Sequence, residues 1–250
     1  MRKYLLALIA VIGFLSFAPK SHASIVRDAT STWITGASVS SITWNHTVTS
    51  TANPMLLLFS LTSNNDASAT FNGVSLTKVT STPTGTNGRW ISFFALPNPA
   101  TGTHAVILAG GGSELVIQGG TISYAGVNQS TVLDALSTFS TSTSQFSVTS
   151  TITTVTNNDW VFLGMRVEQG PQSSGTGSHL LQNSGTTLSS TYDHNAAVTP
   201  AGTVNMNVQD GSGSIGTSYI IAALAPAPAA SVTLTHIIRG DGRTRTNTGR

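Results

Sequence analysis

Apolar residues recur along this chain in short runs separated by Gly, Asn, Pro and Ser clusters. The runs alternate at a period of two in Trp44-Asn45-His46-Thr47-Val48 and in Val74-Ser75-Leu76-Thr77-Lys78-Val79, the second slipping as at a bulge or strand end. That period places one side chain in two on a buried face and predicts half-buried strands. Met55–Phe59 and Trp160–Leu163 are continuous apolar runs, which predict central strands covered on both faces. Strands are expected at 41–49, 54–62, 70–80, 89–96, 103–109, 114–124, 145–152, 159–167, 179–183, 188–192, 203–208 and 218–225. Asn72-Gly73 predicts a tight hairpin and Asn98-Pro99-Ala100-Thr101-Gly102 a turn. Gly110-Gly111-Gly112 and 169–177 read as loops. Beyond the first twenty residues no segment has a helical period.

The first 23 residues read as a secretory signal peptide. Arg2 and Lys3 supply the positive start, Leu5–Phe17 the apolar stretch and Ser21-His22-Ala23 the small-x-small cleavage site. The apolar stretch is short for a bilayer span, and no transmembrane segment is expected in the mature chain. The expected location is therefore secreted, extracellular or on a bacterial cell surface. Residues 24–225 are expected to form one β-sandwich domain, 226–231 a Pro/Ala linker, and 232–250 a basic tail able to form a strand or hairpin.

Composition sharpens this picture. Only 8% of residues are charged, against about 25% in ordinary globular chains, so the surface must be coated with Thr, Ser, Asn and Gly. There are no cysteines, which rules out disulfides, thiol catalysis and Cys-ligated metal. Without residues 1–23, eight basic residues face nine acidic ones, and four of the basic ones (Arg239, Arg243, Arg245, Arg250) lie in the last twelve positions. A body with this weakly acidic balance lacks the basic face that nucleic acid requires.

The order of motifs adds a resemblance. Trp44-x-His46-Thr47-Val48 is followed by an apolar strand, then by Phe71-Asn72-Gly73-Val74-x-Leu76-Thr77-x-Val79 and Phe93-Phe94-x-Leu96-x-Asn98-Pro99-x-x-Gly102-Thr103. Ser123-Tyr124-x-Gly126-Val127-Asn128-Gln129, Leu133-Asp134 and a final strand ending in Ala225-Pro226 complete the set. From about Val39 to Pro226 this resembles an uncharacterised class of jelly-roll-like β-sandwich domains in secreted bacterial proteins and some phage proteins. The resemblance implies a two-sheet antiparallel β-sandwich and carries no activity. The signal peptide argues against a virion protein.

Catalytic chemistry is thinly represented. Glu114 and Glu168 are isolated, whereas a glycosidase needs two carboxylates about 5–10 Å apart. His46, His104, His179 and His194 could join a serine and an aspartate, but no Gly-x-Ser-x-Gly elbow exists. Tyr192-Asp193-His194-Asn195 is the densest polar cluster, a turn or a site, with the turn favoured. Asp210-Gly211-Ser212-Gly213-Ser214 has one carboxylate, too few for tight calcium, and reads as a turn. No cofactor is expected; a structural calcium ion, if held, would draw on Asp66 and Asp134.

Sugar recognition needs exposed aromatic platforms beside amide or carboxylate groups. Trp44 and Trp160 belong to core patterns. Trp90, after Asn87-Gly88-Arg89, is the best exposed candidate. The expected ligand-binding residues are Trp90, Arg89, Asn87, Tyr192 and Asp193. The leading expectation is a non-enzymatic binding or adhesion module, with glycans or a cell-surface partner as ligand. Its alternative is a structural surface protein that self-associates through sheet edges and the strand Val232–Ile238. A secreted glycan-active hydrolase is third. Arg239-Gly240-Asp241 spells an adhesion tripeptide but is equally good turn chemistry.

Overall fold

A computed structural model describes residues 22–85, 88–143, 145–167, 172–184, 189–214, 216–229, 235–236 and 245–246. The signal-peptide segment up to residue 21, Asn87, Glu168, most of Val232–Ile238 and Arg239-Gly240-Asp241 lie outside the described residues. Ala23–Ala227 forms one compact unit. The remainder, 1–22 with 228–250, is a second unit, in which Thr235–His236 pair antiparallel with Arg245–Thr246.

Ala23–Ala227 is all-β and antiparallel, with no helix among its described residues. It is one sandwich topology written twice. The first half contains β1 (Val26–Thr30), β2 (Ile34–Gly36), β3 (Val39–Val48), β4 (Met55–Thr62), β5 (Ser68–Phe71), β6 (Val74–Ser75), β7 (Thr77–Pro83), β8 (Trp90–Pro97), β9 (Gly102–Glu114) and β10 (Ile117–Ala125). The second contains β11 (Leu133–Thr141), β12 (Gln145–Thr153), β13 (Trp160–Val167), β14 (Gln172–Ser174), β15 (His179–Asn183), β16 (Ser189–Asp193), β17 (Thr203–Ser214) and β18 (Thr217–Leu224). The inner sheet of the first half has order β1-β10-β4-β8-β7, and that of the second β11-β18-β13-β16-β15. The outer sheets run β3-β9-β5-β6 and β12-β17-β14. First strand pairs with last in both halves, β1 with β10 and β11 with β18, and inside them β3 pairs with β9 and β12 with β17, the nested pairing of a rolled-up hairpin and hence jelly-roll-like.

Three apolar clusters cement four layers. Trp44, Phe71, Val106 and Leu108 of the first outer sheet meet Leu56, Leu58, Phe94 and Ile117 of its inner sheet. Val148, Ile152, Val204 and Met206 meet Val161, Leu163, Met165 and Ile221 in the second half. Between them the two inner sheets pack face to face through Leu57, Phe59, Phe93 and Ile122 against Trp160, Phe162, Ile220 and Ala222. Inner strands are thus buried on both faces, and β4, β10, β13 and β16 are buried at every residue. This explains the continuous apolar runs. Burial of so many side chains, at about 25 cal/mol per Å² of apolar area, stabilises the fold without disulfides.

Phe59 and Gly164 occupy equivalent positions in β4 and β13, judged by the registers of both strands with their neighbours. They meet each other. A Cβ on Gly164 would lie 1.9 Å from the Phe59 ring, so the interface needs one large and one absent side chain there.

Local signals behaved as their chemistry dictates at the Asn72-Gly73 hairpin, where φ is +49° and +77° and β5 turns into β6. Three readings are corrected. Gly110-Gly111-Gly112 is the end of β9, and Asp210–Ser214 is the end of β17, neither a loop. In both, the register with the neighbouring strand jumps across these residues, from Ala109 opposite Ser41 to Glu114 opposite Val39 and from Gln209 opposite Ser147 to Ser214 opposite Gln145, so each is a long bulge near the strand end. The strand β11 carried no apolar alternation, because as an edge strand it is mostly solvent-exposed or half-buried.

Candidate functional site

The inner sheets touch along two seams, where the edge strands of one half lie beside those of the other. At one, Arg27 of β1 reaches His179 of β15, and Gln182 of β15 bonds Ser31 just after β1; at the other, β11 lies beside β7. The β1–β15 seam holds a dense polar cluster and a cavity.

At one end lies Asp193, fully buried. Its Oδ2 receives Arg27 Nη1 at 3.0 Å, Trp160 Nε1 at 3.2 Å and Tyr124 Oη at 3.4 Å, and its Oδ1 receives the Asn195 amide at 3.1 Å. His179 Nδ1 sits 3.4 Å from Asp193 Oδ1 and 3.4 Å from Arg27 Nη1, so its tautomer decides which it serves. Arg27 and Tyr124 come from the first half; Trp160, His179 and Asp193 come from the second. A buried carboxylate is tolerated only with such donors. Burial, then the Asp193 charge, hold the Tyr124 phenol well above its ordinary range, so it remains a neutral donor.

Farther along the same seam β1 breaks. Ser31, Thr32 and Trp33 face only Thr121 and Gly120 of β10 before β2 resumes pairing at Ile34 opposite Gly119. The extra residue bulges the strand, as at many binding sites. Thr30–Trp33 and Leu181–Asn183 then line a cavity of about 300 Å³. Gln182 fastens its wall, its Nε2 donating to the carbonyl oxygens of Ser31 and, at 3.0 Å, Thr121. Gly120 makes the room: a Cβ there would lie 2.3 Å from Gln182 Oε1 and 2.6 Å from the Trp33 ring. Trp33 Nε1 has no hydrogen-bond partner. The lining is hydroxyl, amide, leucine and indole, with no charged group. It suits a neutral polar ligand with an apolar face.

Two further polar clusters sit at one end of each half, on the bulge residue of the first strand. Asp28 accepts from the Thr49 amide at 3.0 Å, the Ser50 amide at 3.1 Å and the Thr49 hydroxyl. Asp134 accepts from the Val155 amide at 2.5 Å and the Thr156 hydroxyl at 2.8 Å. Each clamps the loop after the second strand, and each spans 21 residues to its first amide. In the first half Ser123 Oγ also donates to Asp28 at 2.8 Å, and His46 Nε2 lies 3.1 Å from Ser123 Oγ. Serine, histidine and aspartate thus converge, but in the wrong order for a nucleophile. The serine proton is committed to the carboxylate, the imidazole donates to the serine oxygen, and His46 Nδ1 has no partner. Burial lowers the His46 pKa to about 4, so it is neutral at pH 7.

The expected ligand residues fall apart in space. Trp90 and Arg89 are half-buried at the start of β8. Asn87 lies outside the described residues. Tyr192 is fully buried, its hydroxyl donating to Gln172 Oε1 at 3.2 Å, and Asp193 is the buried hub just described. Neither belongs to an exposed stacking platform, and both belong to β16 rather than to a turn, which begins at Asn195 with φ +57°. Trp44 and Trp160 are buried in the core. Glu114 is buried and accepts from the Ser63 amide. Asp66 lies exposed near Gly111, whereas Asp134 faces Asp159. Sequence reasoning left Trp33 undecided as a stacking aromatic and missed Gln182 and Gly120, because the cavity arises from two segments far apart in the chain. The one local signal was the Ser31-Thr32-Trp33 interruption of a short strand. Among the described residues no group of three or more His, Asp or Glu converges, and no helix is long and apolar enough to cross a membrane.

Comparison with known proteins adds little. No protein-family model matches the chain, and no curated protein does. The crystal structure of dimeric latent PorU from Porphyromonas gingivalis is similar over 84% of this chain at 11% identity, with a TM-score of 0.27. The chain spans about a fifth of that protein, 21% of its length.

Proposed function

We propose that this protein is a secreted, non-enzymatic binding or adhesion module that takes a neutral glycan at the β1–β15 seam. The observation that carries this reading is the cavity at the break in β1. Thr30, Ser31, Thr32, Leu181, Gln182 and Asn183 line it together with the buried Trp33, and none of them carries a formal charge. A sugar presents hydroxyls that exchange hydrogen bonds with such groups and a C–H face that rests on an aromatic ring. The position of the cavity differs from the loop around Trp90 that the sequence favoured. Absence of an activated nucleophile in the His46–Ser123–Asp28 cluster supports a binding role over hydrolysis. The test is a glycan array on the mature chain followed by calorimetry with any hit. Binding that weakens at least tenfold in Thr32→Val and Asn183→Ala supports the reading. Undiminished binding in both variants sinks the site, and a silent array over neutral glycans sinks the ligand class.

A second reading, self-association through sheet edges, has its own observation. Strands β3 and β12 end the outer sheets, run ten and nine residues, and contain no Lys, Arg, Asp, Glu or Pro. Soluble proteins commonly protect such edges with those residues. Phe146 on β12 is 70% exposed. Sedimentation of the mature chain against a Ser147→Lys, Thr149→Lys variant decides it: a concentration-dependent oligomer lost in the variant supports edge pairing, and a monomer at all concentrations removes it.

A further inference from the structure

The two bulge aspartates do the same work, yet only one has a second carboxylate beside it. Asp28 clamps its loop alone, and the residue at the start of β4 is Pro54, whose carbonyl accepts from the Asn98 amide. In the second half the equivalent place before β13 is held by Asp159, whose carbonyl accepts from the Val198 amide in the same way. Pro54 is preceded by Asn53 at φ +50° and Asp159 by Asn158 at φ +69°, which fixes the equivalence. The loop clamp therefore does not need a carboxylate there. Asp159 is nevertheless fully buried, and neither of its oxygens has a hydrogen-bond partner of regular geometry. Its side chain lies within hydrogen-bonding reach of Asp134 and of the Thr156 amide, and no basic group contributes to either environment. Two carboxylates facing each other in a partly dry site need something positive between them.

We propose that Asp134 and Asp159 form a binding site for a hard divalent cation of the calcium class. Asp134 is half-buried, so water can complete the coordination from its open side. Oxygen donors stand close in sequence and space: the Thr156 hydroxyl already touches Asp134 at 2.8 Å, and Asn157 Oδ1 holds the Ala201 amide of the facing turn at 2.7 Å. The remaining ligands would be water and these neutral oxygens. That set matches a hard cation and a weak extracellular site, with a Kd on the order of 10⁻⁴–10⁻³ M.

The experiment is thermal unfolding of the mature chain with EDTA, magnesium or calcium, for wild type, Asp159→Asn and Asp159→Pro. Proline is chosen because the first half folds with Pro54 at this place and the Asp159 carbonyl pairing survives it. Calcium at about 10 mM is expected to raise the wild-type Tm by several degrees and to leave both variants unmoved. Terbium luminescence, excited through the adjacent Trp160 and quenched by added calcium, reads the same site in the unmutated chain. A wild-type Tm indifferent to calcium, with no terbium signal, overturns the proposal. So does a calcium shift that persists in Asp159→Pro, which would place the ion elsewhere.

Discussion

The two seams between the halves are built on the same strands and filled with opposite chemistry. At the β1–β15 seam stand Arg27, Tyr124, Trp160, His179 and Asp193. Their counterparts by strand register at the β11–β7 seam are Leu133, Leu224, Met55, Thr77 and Ala95. Three of these, Met55, Ala95 and Leu224, sit in the central core, with Leu133 packed against it. The apolar seam is shut: a Cβ on Gly85 would lie 2.0 Å from the Thr141 carbonyl oxygen, and Ser218 Oγ donates to Pro83 O at 3.4 Å. The polar seam opens into the cavity where β1 breaks. One backbone solution thus serves as a closed joint on one side and a candidate binding groove on the other. Apolar contact is tolerant of direction, whereas hydrogen bonds to a buried carboxylate fix the geometry of every donor around it. The polar seam has traded ease of packing for a shaped wall.

The largest expected effect comes from stripping the hub. Asp193→Ala leaves the Tyr124 hydroxyl and Trp160 indole without an acceptor and should cost about 3 kcal/mol in urea unfolding. Converting the seam to its partner's chemistry with Arg27→Leu, Tyr124→Leu and Asp193→Ala together should recover part of that loss. A triple variant less stable than Asp193→Ala would show that the two seams are not interchangeable. Next, Gly164→Ala forces a methyl into the Phe59 ring and should cost about 1–3 kcal/mol, relieved by Phe59→Leu in the double variant.

Acidification and alkalinisation should separate the two clamps. His46 is neutral in the fold with its pKa lowered to about 4, by burial, from an unfolded value near 6.5. The unfolded chain then binds the proton first, so this group's contribution is lost as pH falls from 6.5 to 4, by about 3 kcal/mol in full. Asp159 is raised to about 8 by burial and by Asp134, so its contribution is present below an unfolded value near 3.8 and fades as pH rises through 8. His46→Ile, which copies Ile152 of the second half, should remove the loss of stability between pH 6.5 and pH 4. Asp159→Pro, which copies Pro54, should remove a decline spread over about pH 4 to pH 8 and so steepen the acid limb. Unfolding titrations from pH 4 to pH 9 check both, and a His46→Ile profile unchanged below pH 6.5, or an Asp159→Pro profile that still declines between pH 6.5 and pH 8 as wild type does, would break the assignment. The smallest effect on stability is expected at the cavity: Asn183→Ala should shift unfolding by less than about 1 kcal/mol while weakening ligand.

Several of these features were legible in the residues and others were not. Trp44 and Trp160 were readable as core from their neighbours, since a strand period of two assigns each side chain to a face. The repeat was nearly invisible. Pro99-Ala100-Thr101-Gly102-Thr103 and Pro200-Ala201-Gly202-Thr203 are its best trace, along with Ser-x-Thr-x-(Asn or Thr)-x-Thr at Ser41–Thr47 and Ser147–Thr153. The same traces had an ordinary meaning as turn and hydroxyl-coated strand. Asp193 was noticed as part of a polar cluster but read as a turn or a ligand-binding residue, because nothing local says that a charged residue ending a strand faces another sheet.

By itself the sequence determined an all-β sandwich, its doubly covered central strands and its tightest hairpin. These follow from side-chain period, apolar run length and backbone preferences, which act within a few residues. Only the tertiary structure decided that the sandwich is doubled, that one seam is charged while its twin is greasy, and that Trp33 and Gln182 meet across 148 intervening positions in sequence about a cavity. Those outcomes depend on which surfaces two sheets present to each other. That choice is set by the summed packing of dozens of side chains and by the donors that a buried carboxylate finds, and neither is encoded in any short stretch of the chain.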